Sequence, residues 1–167
     1  ILYSTINWQI EALLQSVGDG YSPEVGFARR NGYDRNSLSL QKNFYPQSES
    51  IQRISPTISY EGYANESLGL TDYQIGIGTD FSMLNTSSFS IQVNQTYLYL
   101  FNDFDPTRNG NQKLPEGTDY RYTNLRLNYR GDTRNPFYLN LNANAGQYFN
   151  GNRIGLGGSL NYRIQPL

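Results

Sequence analysis

The sequence contains no cysteine and no histidine, and these two absences exclude several kinds of site. Without cysteine there is no disulfide, thiol nucleophile or Cys/His zinc site, and without histidine there is no Ser-His or Asp-His catalytic arrangement. Long apolar runs are also missing, so the sequence predicts no transmembrane helix. We therefore expect that the protein is not an enzyme and that it uses no metal or other cofactor.

Charge is scarce as well. Charged residues make up 16% of the 167 residues, against roughly 25% in typical soluble domains, and lysine is nearly absent. The formal net charge is −1, so we expect no general electrostatic attraction to nucleic acid. The polarity comes instead from Asn, Gln, Ser, Thr and Gly, alongside 15 tyrosines and 8 phenylalanines.

Apolar and polar residues alternate along most of the chain. In the stretch 5–14, for example, Ile6, Trp8 and Ile10 alternate with polar residues. A period of two predicts a β-strand with one apolar and one polar face. The pattern recurs near residues 35–45, 51–63, 70–81, 89–101, 124–130, 137–145 and 154–164. The sequence therefore predicts an all-β chain of about eight strands.

The predicted connections alternate in length. Tight turns are expected at 47–50, 84–87 and 131–135, whereas long loops, about 18–34 and 102–119, fall at the other end of an up-and-down arrangement. Short periplasmic turns and long extracellular loops are typical of outer-membrane barrels. We therefore predict a single antiparallel transmembrane β-barrel region over 1–167, located in the outer membrane of a Gram-negative cell.

Charges in the predicted strands lie almost entirely on the polar face, which a barrel turns toward its lumen. The candidate lumenal residues are Glu11, Arg35, Arg53, Glu61, Asp72, Asp80, Arg126, Arg130, Arg153 and Arg163. We expect these charges to serve packing or permeant selectivity rather than acid–base catalysis. Lys42, on the apolar face, is expected near the membrane surface, where its ammonium reaches the headgroups. Pro56, which lacks an N–H, predicts a bulge or a gap in strand pairing.

Aromatic residues of the apolar face gather near the strand ends. Phe44, Phe81, Phe89, Tyr129 and Phe137 flank the tight turns, and Tyr60, Tyr73 and Tyr97 lie toward the opposite ends. Membrane interfaces select two such bands around an aliphatic segment. The predicted partner is therefore the lipid bilayer, with other envelope proteins as further candidates.

Alternation alone also fits a soluble all-β domain that buries its apolar face. In that case the protein is a carbohydrate-binding module with an aromatic-rich face. The membrane interpretation is favoured because a soluble exterior normally carries more charge than this polar face does. In a membrane the protein acts as a pore or as a membrane-embedded scaffold.

Eight antiparallel strands are enough for a small barrel with a filled interior. However, the chain begins mid-strand without a signal peptide, and it ends without the terminal aromatic residue usual in bacterial outer-membrane barrels. We therefore expect it to be a consecutive part of a larger barrel. In the long loop near 18–34, Glu24, Arg29 and Arg30 are candidates for a constriction that folds into the lumen.

The most distinctive segment of this loop reads Tyr21-Ser22-Pro23-Glu24-Val25-Gly26-Phe27-Ala28-Arg29-Arg30. It resembles Asn-Pro-Glu-Val-Gly-Phe plus a basic residue, a motif of Bacteroidota surface proteins. In that family an N-terminal domain similar to family 9 carbohydrate-binding modules precedes a large β-barrel of unknown function. Residues 161–166 are similar to a Tyr-Arg-Phe-Gln-Pro segment of the same barrel. The resemblance implies that this chain is a fragment of the barrel without the carbohydrate-binding domain.

Overall fold

The computed structural model describes residues 1–21, 32–110 and 112–164. These residues form one antiparallel sheet of nine strands and contain no helix. The strands are β1 (Leu2–Ser4), β2 (Trp8–Val17), β3 (Tyr33–Lys42), β4 (Ile51–Asn65), β5 (Gly69–Met83), β6 (Ser88–Tyr99), β7 (Asp119–Arg130), β8 (Phe137–Tyr148) and β9 (Gly151–Tyr162). Each strand pairs with its sequence neighbour, which confirms the all-β meander. The sheet is not closed: within the described residues, β1 and β9 are its two edges.

The connections divide between the two ends of the sheet as the sequence predicts. The segments 5–7, 43–50, 84–87 and 131–136 lie at one end, which we call the turn end. The described ends of the longer connections 18–32 and 100–118 lie at the other, the loop end, together with the short connections 66–68 and 149–150. The two predicted long loops therefore share one end, and the predicted tight turns share the other.

The first strand was predicted to begin at residue 5, and this prediction is wrong. Residues 5–7 form a turn, and β2 begins only at Trp8. The side-chain oxygen of Thr5 accepts a hydrogen bond from the Trp8 N–H at 3.0 Å, which stabilises the turn. The sequence did not predict this turn because Ile6 continues the alternating apolar pattern of Trp8 and Ile10 through it. The short strand β1 folds back onto β2 and makes the ninth strand.

Strand register gathers the aliphatic side chains into one row across the sheet. Paired residues of an antiparallel ladder share a face, so the pairings can be followed from β2 to β9. They connect Ile10, Leu40, Ile58, Ile77, Val93, Leu125, Ala145 and Ile154. We call these eight residues the central aliphatic row and the face that carries them the apolar face. The opposite side of the sheet is the polar face.

The two faces differ in the exposure of their side chains. On the apolar face, Ile77 is 60% exposed and Val93 is 44% exposed. On the polar face of the same region, Asn94 is 2% exposed and Ser55 is 1% exposed. This difference is expected when a sheet curls toward its polar face and crowds the side chains there. At these positions the sheet covers polar groups and leaves apolar groups open, whereas on β7 Leu125 is half-buried and Arg126 is exposed.

The two awkward residues predicted on the apolar face are accommodated near the turn end. The β3–β4 ladder stops at the Gln41–Thr57 pair and resumes with a bridge between Phe44 and Ile54, which confirms the predicted pairing gap at Pro56. The Lys42 ammonium lies 5.1 Å from the centre of the Trp8 ring and 4.7 Å from that of Phe44. Aromatic faces attract cations at such distances.

Hydrophobic burial is concentrated at the loop end. Within the described residues, Leu100, Leu114 and Phe149 form the buried hydrophobic cluster, with Leu98, Phe104, Tyr120 and Tyr148 packed against it. We call these seven residues the loop-end cluster. Phe104 and Leu114 exchange backbone hydrogen bonds of 2.9 and 2.7 Å, which join the described parts of the connection on either side of the bridge. Leu98 and Tyr120 come from the polar face, which places the cluster at the loop end of that face.

Candidate functional site: the polar face

The polar face holds most of the charged residues predicted to face a lumen. Register places Glu11, Arg35, Arg53, Glu61, Asp72, Asp80, Arg126, Arg130 and Arg153 on it. Arg163 differs because it lies beyond the end of β9, where its guanidinium donates to the backbone oxygen of Arg134 at 3.3 Å. Arg163 therefore belongs to the turn end rather than to the wall of the sheet.

The strongest electrostatic contact on this face joins neighbouring strands near the loop end. Arg35 Nε donates to Glu61 Oε1 at 2.8 Å, and the Tyr63 hydroxyl donates to the same oxygen at 2.8 Å. The Arg35 guanidinium also lies 5.8 Å from the centre of the Tyr63 ring. One carboxylate thus receives two donors, which holds β3 and β4 in register through their side chains.

Asp72 occupies an irregular part of the sheet at the same end. The register shift between Tyr63 and Ala64 leaves Thr71 without a partner in the β4–β5 ladder. The Thr71 hydroxyl lies 2.9 Å from Asp72 Oδ2, and both residues are buried. A β-bulge often changes the direction of the side chains beside it. Here the Asp72 carboxylate is buried rather than directed into open space.

The remaining charges are separated by amides and hydroxyls. Gln9 Nε2 donates to Glu11 Oε1 at 2.8 Å, and an Arg53 guanidinium nitrogen lies 3.4 Å from Ser82 Oγ. Near the middle, Gln74 Nε2 donates to Asn94 Oδ1 at 3.2 Å. In the described residues, the polar face therefore combines the Arg35–Glu61 pair with hydrogen bonds to amides and hydroxyls.

The aromatic residues predicted at the two membrane interfaces lie on the apolar face. At the turn end, register aligns Phe44, Phe81, Phe89 and Tyr129 in one row with Ile54, and Phe137 lies farther out, paired with Tyr162. At the loop end, the Tyr73 and Tyr97 rings stack with centroids 5.3 Å apart. Tyr60 lies one row closer to the centre, opposite Ile75.

Lys42 is not the only charge on the apolar face, contrary to expectation. Arg121 pairs with Tyr97, and its guanidinium lies 5.2 Å from the centre of that ring. Asp34 also lies on this face, paired with Ser16 and Ala64. Asp119, paired with Tyr99, lies on the same face, and all three additional charges are at the loop end, level with or beyond the Tyr73–Tyr97 row. The apolar middle of the face therefore contains no charge in the described residues.

Two carboxylates at opposite ends of the sheet have pKa values well below the ordinary range. Hydrogen bonds from the Thr107 hydroxyl and from the N–H groups of Gly110, Thr107 and Arg108 lower the pKa of Asp105 to about 2. In the turn 131–136, contacts with Arg134 lower the pKa of Asp132 to about 2. Asp105 uses its oxygens to organise its own loop.

The proposed constriction residues Glu24, Arg29 and Arg30 lie outside the described residues, as do Gln165 and Pro166. In the part of the chain that is described, no group of three or more acidic side chains is arranged to hold a metal ion. The same residues include no helix long and apolar enough to cross a bilayer.

Comparison with known proteins identifies no relative: no family model, curated protein or solved structure matches the chain.

Proposed function

We propose that this chain forms a sector of an outer-membrane β-barrel whose polar face lines a lumen, and that the barrel acts as a pore or as a membrane-embedded scaffold. The observation that carries the proposal is the central aliphatic row, which crosses eight strands and is exposed on β3 to β6 and on β9. A soluble sandwich or barrel would cover such a row with a second layer or with its own interior. The described residues contain one layer only.

The spacing of the aromatic rows supports a membrane-spanning orientation. Phe81 and Tyr73 are eight residues apart on β5, and Phe89 and Tyr97 are equally far apart on β6. At about 3.3 Å per residue, this separation is about 26 Å along the strand. In a strand tilted by about 40° this length covers about 20 Å of depth, somewhat less than the apolar band of about 25 Å in outer-membrane barrels. The aliphatic rows therefore lie at the depth of the hydrocarbon, with aromatic rings near the headgroups.

Strand direction supports a sector of a larger barrel rather than closure of these nine strands alone. In a meander the odd-numbered strands run in the same direction, so β1 and β9 are parallel to each other. Joining them would break the antiparallel pattern of the sheet. Because open sheet edges are not tolerated in hydrocarbon, the two edges call for further antiparallel strands. This argument agrees with the resemblance to a large Bacteroidota barrel.

The test is folding of the complete barrel protein that contains this chain, with and without a membrane mimic. We expect β-sheet circular dichroism and heat-modifiable gel migration in detergent or lipid, and insoluble protein in plain buffer. With Trp8 as the only tryptophan, its fluorescence should be quenched by brominated acyl chains in vesicles, since Trp8 lies on the apolar face opposite Lys42. A folded, monomeric protein in detergent-free buffer would overturn the proposal in favour of a soluble β-module.

Conductance separates the two membrane roles. An open lumen should give single-channel currents in planar bilayers, whereas a plugged or purely scaffolding barrel should give none. The measurement uses the same refolded protein that shows heat-modifiable migration, so that an absence of channels is read from inserted protein.

A further inference from the structure

A groove of about 530 Å³ opens on the turn end of the polar face, across strands β5 to β9. Two adjacent register rows supply most of its lining. One row contains Asp80, Asn128 and Asn142, and the next contains Arg130 and Asn140, with Tyr138 beyond it on β8. We call this feature the polar groove. Its walls are rigid because each row is held by consecutive ladder pairs.

The balance of charge in the polar groove favours an uncharged ligand. Asp80 supplies one negative charge and Arg130 one positive charge, and the other polar lining groups are amides and hydroxyls. Their formal charges cancel, so neither an anion nor a cation gains net attraction from the lining. A neutral solute with many hydrogen-bonding groups gains from both signs, because it can donate to the carboxylate and accept from the guanidinium.

Two amides of the polar groove are fixed by hydrogen bonds to neighbouring serines. Asn140 Nδ2 donates to Ser159 Oγ at 3.1 Å. Asn128 is fixed in the same way, with Nδ2 donating to Ser90 Oγ at 3.1 Å. Side chains that are already held in place lose little conformational freedom when a ligand binds.

Two further features shape the polar groove. A Cβ atom at Gly157 would come within 2.7 Å of the Asn142 side-chain oxygen, so glycine at this position keeps the Asn142 amide in place. Tyr138 adds an aromatic ring and a hydroxyl at one end of the lining. Ligand sites commonly combine an apolar ring with a few convergent polar groups.

We propose that the polar groove binds a neutral polyhydroxylated solute of the saccharide class. Ligand hydroxyls donate to Asp80 and accept from Arg130 and Asn142, with the Asn140 side chain and the Tyr138 ring alongside the sugar. The inference deepens the proposed function, since it rests on the polar face being a lumen for its placement on a permeation path. The groove itself can be tested by binding alone.

The experiment titrates the full chain, folded in detergent, with maltotriose, cellotriose and xylotriose by isothermal titration calorimetry, and with sodium phosphate as a charged counter-probe. We expect at least one trisaccharide to bind and phosphate not to bind. Asn140→Leu should weaken that binding by about tenfold or more, because it replaces a fixed polar group of the lining with an apolar side chain. Asn144→Leu is the matched control, since Asn144 lies on the same strand and face and outside the groove.

Each outcome decides the proposal. Saccharide binding that is weakened by Asn140→Leu and unchanged by Asn144→Leu supports it. Folded protein that binds none of the three trisaccharides, binds phosphate instead, or responds equally to both substitutions overturns it. Heat-modifiable migration and circular dichroism of the same samples report on the barrel separately. If the chain folds without detergent, the same titration in buffer tests the groove while the membrane proposal fails.

Discussion

The two faces of β5 and β6 carry opposite relationships between polarity and burial. Ile77 and Val93 lie open on one face, whereas Asn94 and Gly76 are buried on the other. In water, burial of apolar area is the dominant favourable contribution to folding, and among the described residues the fully buried apolar side chains lie in the loop-end cluster. This difference shows that a buried hydrophobic core is not the main source of stability for the described part of the sheet. Something outside the described residues must cover the apolar face, and we propose that it is lipid.

The largest expected effect comes from a charge in the central aliphatic row. Ile77→Arg should lower the free energy of unfolding in lipid vesicles by about 2–4 kcal/mol, because a guanidinium is placed at the depth of the hydrocarbon. Urea titration of the refolded protein measures this loss. Leu14→Arg is the control, since Leu14 is also exposed on the apolar face but lies level with Tyr73, Tyr97 and Arg121. It should cost about 0–1 kcal/mol. If both variants lose the same negligible amount of unfolding free energy, the apolar face is in contact with water.

The next effect tests the one place where apolar side chains are buried in the described residues. Leu114→Ala should reduce the free energy of unfolding by about 2–3 kcal/mol, because it leaves a cavity in the loop-end cluster. Leu84→Ala in an exposed turn should change it by less than about 0.5 kcal/mol. Similar losses for the two variants would mean that the cluster is not a packed core.

A smaller effect is expected at Gly146, where β8 approaches β7 most closely. This residue has a φ of 148°, and an added Cβ would lie 2.5 Å from the Thr123 oxygen and 2.6 Å from the Asn124 Cα. Gly146→Ala should therefore cost about 1–3 kcal/mol in unfolding free energy. Gly155→Ala is the matched control on the polar face of β9, where the nearest atom is 4.0 Å from the added Cβ. A loss of the same size at both glycines would contradict the backbone argument.

The smallest effect concerns pH at the turn end. The pKa of Asp132 is lowered from 3.8 to about 2 by Arg134, so the folded state binds the proton less tightly than the unfolded state. The stabilisation is present above about pH 4 and is lost as the pH falls toward 2. Amide hydrogen exchange in the turn 131–136 should accelerate over this range, and Asp132→Asn should exchange fast throughout. A wild-type rate that does not change between pH 4 and pH 2, after correction for intrinsic exchange, would contradict this account.

The sequence predicted the strands because alternation depends on local residues only. The register then followed from the tight turns, which leave little freedom in pairing, and it brought residues such as Ile77 and Val93 into one row. The gap in strand pairing at Pro56 could be predicted because proline lacks an N–H. The same alternation predicted that Arg35 and Glu61 lie on the polar face. Their contact could not be predicted, because it depends on the register between β3 and β4.

Features that depend on contacts between distant segments could not be predicted. The turn at 5–7 is hidden by an apolar residue that keeps the alternation unbroken. The loop-end cluster joins Leu100 and Leu114 to Phe149, and no periodic signal links residues so far apart. Leu98 and Tyr120 were a usable sign, since both interrupt the polar face with large apolar groups. The polar groove likewise arises only when β5 to β9 lie side by side.

The most direct test of the central claim compares two adjacent residues that face opposite ways on β7. In a Trp8→Phe background, Leu125→Trp and Arg126→Trp each place a single tryptophan, on the apolar and the polar face respectively. In lipid vesicles we expect brominated acyl chains to quench the tryptophan at 125 strongly and aqueous acrylamide to quench it weakly. The tryptophan at 126 should show the reverse. Acrylamide access to position 125 together with protection of position 126 would contradict the account, since the apolar face would then meet water.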